Sequence, residues 1–187
     1  ACGDTGVGKM PSEEVILDYI MRELAFEKDL EGKKVLVTAG PTMEKIDPVR
    51  FISNHSTGKM GYAIARNAML RGAEVTLVTG KTSITPPPFV DVVNVISAKD
   101  MYEAVISRLE EQDIIIKSAA VADYRPVNPA DEKIKKKDGD MSISLERTDD
   151  ILKYIGEHKR ENQFVCGFSM ETENMIENSR EKLKKKK

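Results

Sequence analysis

The sequence has no tryptophan, two histidines and two cysteines, and only 5% of its 187 residues are aromatic. Each shortage excludes something. Cys2 and Cys166 lie far apart, with no C-x-x-C and no cysteine–histidine cluster, so no zinc site is encoded and a reduced, cytoplasmic protein is expected. His55 and His158 are not spaced as a metal pair. No apolar run reaches the ~18 residues of a membrane span, and no signal peptide is read at the start. The net charge of −2 gives no global field to gather nucleic acid. No segment repeats.

What is present is globular: 40% hydrophobic and 32% charged residues, with length for one domain and a real core. Residues 12–28 predict a helix that starts at Ser12 and Glu14, with Val15, Ile16, Tyr19, Ile20 and Leu24 on one face. From Lys33 onward strands and helices alternate. Strands are expected at 33–39, 74–79, 92–96, 113–120 and 164–168. Helices are expected at about 59–71, stopped by Gly72, at 98–111 behind an N-cap at Ser97, at 149–160 and at 172–187. Residues 142–146 alternate like an edge strand. Uniformly apolar strands between helices indicate a doubly wound α/β fold, its mainly parallel sheet covered on both faces. A ligand is then expected at the carboxyl ends of the strands.

One stretch organises the chain: TAGPTMEKIDPVRFISNHSTGKMG, residues 38–61. It joins the first strand to its helix through about eighteen residues, where two to six are usual. It carries Thr42, Asp47, Arg50, Asn54, His55, Ser56 and Thr57. A long polar loop at the carboxyl end of a strand is a binding loop more often than slack chain. Ser56-Thr57-Gly58 stands at a helix N-terminus, which suits a phosphate or carboxylate and equally suits a plain N-cap. Asp123, just past the fourth strand, can meet a ribose or a metal-bound phosphate, or can simply turn the chain. Residues 121–141 hold two prolines, Gly139 and Lys133, Lys135, Lys136 and Lys137, which mark a mobile basic flap or a solvated loop. Together these features suggest a nucleoside triphosphate more than a neutral ligand.

Two other nucleotide signatures fail. Gly3-x4-Gly8-Lys9 imitates a phosphate loop, but no strand precedes it and Met10-Pro11 stands where Ser or Thr should hold magnesium. A dinucleotide reductase is the natural rival for this fold. However, the first strand gives Ala39-Gly40-Pro41-Thr42 instead of G-x-G-x-x-G, and the second ends in Thr79-Gly80-Lys81 with no acid for a ribose. No tyrosine has a lysine four residues on, and there is no nucleophile elbow.

GPTMEKIDPVRFISNHSTGKMG, AAVADYRP and EKIKKK, in that order, resemble the phosphopantothenoylcysteine synthetase domain of the bacterial bifunctional coenzyme A biosynthesis protein. The resemblance spans about residues 31–187 and implies a Rossmann-like fold with a basic flap. Residues 1–30 then read as a remnant of the preceding decarboxylase domain plus a linker helix. ACGDTGVGK resembles the close of that domain, where the position of Cys2 is the catalytic proton donor; here Cys2 is expected to be vestigial. FMN would serve only that decarboxylase domain, which is expected to be absent.

The resemblance implies a ligase that joins 4′-phosphopantothenate to L-cysteine with CTP and magnesium. The carboxylate attacks the α-phosphate, pyrophosphate leaves, and the cysteine amine then displaces CMP from the acyl-cytidylate. By resemblance, Asn54 contacts the acyl group and Arg50 helps to position the pantothenate. Ser56, Thr57 and Gly58 hold phosphate. Ala119, Ala120 and Asp123 line the cytidine site, with Asp123 the alternative magnesium ligand, and Gly40, Lys117 and Ser118 are further CTP-binding residues. Lys133 reaches the triphosphate. Thr148, Asp149, Asp150, Ile151, Phe168, Lys182 and Lys186 match further nucleotide contacts. The family is dimeric, so a homodimer is expected. Its members carry Phe-Ala-Ala-Glu-Thr where this chain has Phe168-Ser169-Met170-Glu171-Thr172. They also continue past the terminal lysines, so a C-terminal part is expected to be missing. A nucleotide-binding but inactive fragment is the alternative that this implies.

Overall fold

The computed structural model describes residues 8, 10–136, 138–170 and 173–186, the last two without their side chains. In chain order the elements are α1 (Glu13–Leu24), β1 (Lys34–Ala39), β2 (Met43–Lys45), β3 (Phe51–Ser53), α2 (Lys59–Leu70), β4 (Glu74–Thr79) and β5 (Val90–Asn94). There follow α3 (Ala98–Ile106), β6 (Ile114–Lys117), β7 (Tyr124–Pro126), β8 (Leu145–Arg147), α4 (Ile151–His158), β9 (Phe164–Gly167) and α5 (Met175–Lys186). Five strands form one sheet in the order β5-β4-β1-β6-β9. All four pairings in it are parallel. The chain winds outward from β1 through β4 to β5, then returns to β6 on the other side. The point where the order reverses lies between β1 and β6, the place where this topology leaves a crevice.

The apolar strands earn their positions by alternation. Val35, Val37 and Ala39 of β1 face α2, where Tyr62, Ala65 and Met69 meet them with Val75 and Leu77. Leu36 points the other way and packs with Met101, Val105, Ile151 and Ile155 of α3 and α4. Each such fully buried side chain contributes roughly 1.5–3 kcal/mol. By contrast, α1 buries no residue. Its expected apolar face stays open, with Leu24 80% and Tyr19 55% exposed, because α2 already covers that side of the sheet. What holds α1 is peripheral: Asp18 pairs with Arg66 at 2.8 Å, and the Tyr19 ring meets Phe89 edge-on at 4.4 Å.

Several expected boundaries shift. The long connection after β1 contains an antiparallel hairpin, β2–β3, with Met43 opposite Ser53. The third strand begins two residues early, at Val90, directly after the prolines and a left-handed Phe89. It also ends early, because Ile96 leaves the ladder: its N–H donates to Asp100 Oδ2 at 3.2 Å and its carbonyl accepts from Met43 at 2.8 Å. The helix read as 98–111 is α3 followed by a single tight turn at Leu109–Glu111. Its expected Ser97 cap is present as a reciprocal box with Asp100. The fourth strand is shorter than 113–120, ending at Lys117. Residues 142–146 do not edge the main sheet: β8 pairs antiparallel with β7 as a separate ribbon. Asp150 caps α4, its Oδ1 accepting from Lys153 N at 3.0 Å. Among the described residues no helix is long and apolar enough to cross a membrane.

Candidate functional site

The two strands that flank the switch point remain stitched together beyond their ends. Thr38 is fully buried, and its Oγ1 accepts from Ser118 N at 3.2 Å and Ala119 N at 3.1 Å. Ala120 N donates to Gly40 O at 2.9 Å, and Thr42 N to Ala120 O at 3.3 Å. This fixes the backbone of Lys117–Ala120 against Gly40–Thr42 at the carboxyl edge of the sheet.

The hairpin is built into the domain by three buried polar residues, Thr42, Glu44 and Asp47. Thr42 Oγ1 accepts from Ala122 N at 3.0 Å. Glu44 Oε1 accepts from Ala98 N at 2.8 Å, which places a carboxylate at the start of α3. Asp47 receives the guanidinium of Arg50 at 2.6 and 3.0 Å and the backbone N–H of Ile134 at 3.1 Å. Hydrogen bonding from Arg50 holds the Asp47 carboxyl far below the usual carboxylate range. Burial opposes that shift, and the backbone N–H groups of Val49, Arg50 and Ile134 add to it. Sequence reading placed Thr42, Asp47 and Arg50 in a polar binding loop and did not single out Glu44. The available signal was Asp47-Pro48-x-Arg50, an Asx-type turn in which the carboxylate folds back on its own backbone.

Close backbone approach at this edge requires glycine. Gly58 has φ 76°, and a β-carbon there would lie 2.7 Å from Thr82 Cγ2 and 3.3 Å from Gly40 N. A β-carbon on Gly61 would lie 2.6 Å from Ala39 Cβ, so α2 presses directly on the end of β1. Gly40, Gly58 and Gly61 thus do the work of the glycine-rich turn that contiguous sequence lacks, with the hairpin inserted between the first and second. Ser56 Oγ accepts from Gly58 N at 3.3 Å and Thr57 Oγ1 from Lys59 N at 3.4 Å, so both hydroxyls stand at the N-terminal turn of α2. Asn54 reaches across, its Nδ2 donating to Val121 O at 3.0 Å.

Two clefts open beside this arrangement. The first, about 490 Å³, lies beyond β6 and β9. Of the residues singled out from the sequence it gathers Lys117, Ala119, Asp123, Thr148, Asp149, Asp150, Ile151 and Phe168. Val121, Tyr124, Arg147, Leu152 and Gly167 complete it and were not foreseen. Thr148 is set by two bonds across the cleft, its Oγ1 to Ala122 O and its N–H to Asp123 O at 3.0 Å. Three aspartates face one lysine and one arginine here, a mixture that suits a nucleoside or a cation-bound phosphate better than a bare polyanion. The second cleft, about 890 Å³, brings Arg50 together with Lys133, Lys135 and Lys136 against Asp140. Its charge suits an anion.

Not everything converges. The Ser118 Oγ is buried without a partner among the described residues, and Ala120 contributes backbone only to the seam with β1. Lys182 sits on α5, which packs on α4, and is not among the cleft-lining residues. The side chain of Lys186, and Cys2 altogether, lie outside the described residues.

The chain matches a known family model, that of the DNA/pantothenate metabolism flavoprotein C-terminal domain, over residues 30–187. The chain belongs to this family. It is 45% identical over its full length to a coenzyme A biosynthesis bifunctional protein CoaBC of Haemophilus influenzae, of which it covers 46%. A Bacillus subtilis protein of the same name is 48% identical over 98% of the chain, again covering 46% of the relative. The chain therefore spans about half the length of the curated relatives it matches. Among solved structures, the C-terminal domain of a CoaBC protein superposes with a TM-score of 0.74 at 52% identity, over 84% of this chain and 74% of that one. This flavoprotein-family C-terminal domain is Rossmann-like, with a five-stranded parallel sheet.

Proposed function

We propose that this domain is a CTP-dependent ligase that joins 4′-phosphopantothenate to L-cysteine through an acyl-cytidylate. One observation supports the reading most. Eight residues on which the resemblance places nucleotide contacts, scattered from Lys117 to Phe168, line one cleft beyond the carboxyl ends of β6 and β9. The names of the full-length relatives point the same way. In this reading the nucleoside lies in the first cleft. The triphosphate runs past Asn54 toward Ser56, Thr57 and Gly58, and the arginine and lysines of the second cleft meet the anionic ends. Little proton transfer is required, so positioning and charge neutralisation carry the rate. The protein acts as a cytoplasmic homodimer.

Among the described residues no three His, Cys, Asp or Glu side chains converge on a metal cage. Magnesium that travels with a triphosphate needs only one or two protein carboxylates. Asp123, exposed on the wall of the first cleft, fits that demand. The ion would neutralise triphosphate charge.

The test is pyrophosphate release with CTP, magnesium and 4′-phosphopantothenate, with and without cysteine. Release in both cases supports activation by cytidylate transfer. CTP-dependent thermal stabilisation without release would instead favour a nucleotide-binding, inactive domain. Absence of both signals would overturn the reading.

A further inference from the structure

Asp47 is 2% exposed and belongs to no cleft wall, yet its carboxylate takes five hydrogen bonds. Oδ1 accepts from Val49 N and Arg50 N, both at 2.8 Å. Oδ2 accepts from Arg50 Nε at 3.0 Å, Arg50 Nη2 at 2.6 Å and Ile134 N at 3.1 Å. Arg50 Nη2 then donates onward to Ile134 O at 2.8 Å. Both backbone polar groups of Ile134 are therefore held by one ion pair. Four residues earlier, Ala130 N donates to Ile46 O at 2.8 Å. The lysine-rich segment, otherwise without regular structure between β7 and β8, is fastened to the hairpin turn at these two places.

We propose that Asp47 is a positioning residue: it clasps Arg50 and Ile134 together and so sets Lys133, the neighbour of Ile134, beside Arg50 in the second cleft. The chemistry requires an ionised aspartate. An asparagine would turn one donor toward the donors of Ile134 and Arg50, and a glutamate would carry an extra methylene into a filled site. Every partner in the clasp belongs to the chain itself, so its assembly requires no bound anion. That removes an ordering cost from the step that needs the charge. The purpose of this placement rests on the ligase reading; the clasp itself does not.

The test is Asp47→Asn, read by trypsin and by kinetics. Cleavage after Lys133, Lys135 and Lys136 in the ligand-free protein should rise by at least about tenfold, while cleavage at Arg66 inside α2, which reports global unfolding, stays slow. Turnover should fall about 10- to 100-fold, with CTP affinity by calorimetry nearly unchanged. Unaltered cleavage of the lysine-rich segment, or a loss of CTP affinity equal to the loss of turnover, would overturn the proposal. Should Asp47→Asn fail to fold, amide exchange of the unsubstituted protein decides. Ile134 N–H exchanging more slowly than the amides of Lys133 and Lys135 supports the clasp, and equal rates sink it. Absence of pyrophosphate release by the unsubstituted protein would remove the ligase reading and leave the proteolysis and exchange arms to judge the clasp.

Discussion

Asn54 and Val121 join the two halves of the site: the amide of one donates to the carbonyl of the other at 3.0 Å. Asn54 belongs to the connection after β1, and Val121 to the connection after β6. The bond crosses the switch point and brings a side-chain amide to the rim of the first cleft. If the domain is the ligase proposed above, that amide is the donor expected at the acyl group.

Asn54→Asp tests that role. The substitution keeps the shape, removes the donor and sets a carboxylate against the Val121 carbonyl. We expect cytidylate formation to survive and amide formation to slow by about 100-fold, the scale of losing one donor to a developing oxyanion. The acyl-cytidylate should then accumulate and be trapped by mass spectrometry. If no intermediate is trapped while both half-reactions slow alike, Asn54 acts in binding and not in the second step.

The glycines at the sheet edge make a separate prediction. A β-carbon on Gly80 would lie 1.8 Å from the Pro41 carbonyl oxygen, which belongs to backbone and cannot swing away. A β-carbon on Gly32 would meet nothing within 4 Å, although its φ is +73°. Gly80→Ala should therefore cost more than the roughly 1–3 kcal/mol of ordinary overpacking, and Gly32→Ala only about 1–2 kcal/mol for the left-handed backbone. Denaturant unfolding of the two variants checks the ranking. Equal losses would show that the Pro41–Gly80 contact yields easily.

Much of this was legible in the sequence wherever one local rule acts alone. Unbroken apolar runs give β1, β4 and β6, Gly72 ends α2, and Ser97 with Asp100 forms the cap of α3. Alternation in residues 142–146 signalled an edge strand but carried no information on its partner, which is β7 in a separate ribbon, and β8 itself starts only at Leu145. The hairpin was hidden for a different reason. Thr42 and Asp47 were read only as part of a polar binding loop and Glu44 was not singled out; the distant N–H groups of Ala122, Ala98 and Ile134 explain why all three are buried. The glycine pattern was broken in sequence and restored in space by the approach of Gly58 to Gly40.

Acid titration should expose the buried carboxylate. Asp47 lies well below its ordinary value of 3.8, chiefly through Arg50. A depressed carboxyl contributes stability that is fully present above that ordinary value and is lost as pH falls toward the folded value. Between neutrality and about pH 5 this group's stabilisation is fully present and adds no pH dependence to the melting temperature; below about pH 4 the melting temperature should fall. Asp47→Asn should lower the melting temperature at pH 7 and flatten the acid limb, because the variant has no carboxyl to protonate there. Parallel acid limbs in the two proteins would mean that other carboxyls dominate acid unfolding.

Lys133 supplies the final prediction. It lines the cationic cleft beside Arg50 and directly precedes the clasped Ile134. A charge held there without ligand can act in either of two ways. If it attracts the triphosphate equally in the ground state and the transition state, it lowers the KM for CTP and leaves turnover alone. If it meets negative charge that grows only as pyrophosphate departs, it raises turnover. The residues of the first cleft and the hydroxyls at α2 also contact the nucleotide in this reading, so loss of Lys133 should weaken ground-state binding less than it slows turnover. We therefore expect Lys133→Gln to reduce turnover by about 100-fold while changing CTP affinity little. Turnover at saturating CTP, set against the dissociation constant from calorimetry, separates the cases. Weakened binding with full turnover would reduce Lys133 to a binding residue.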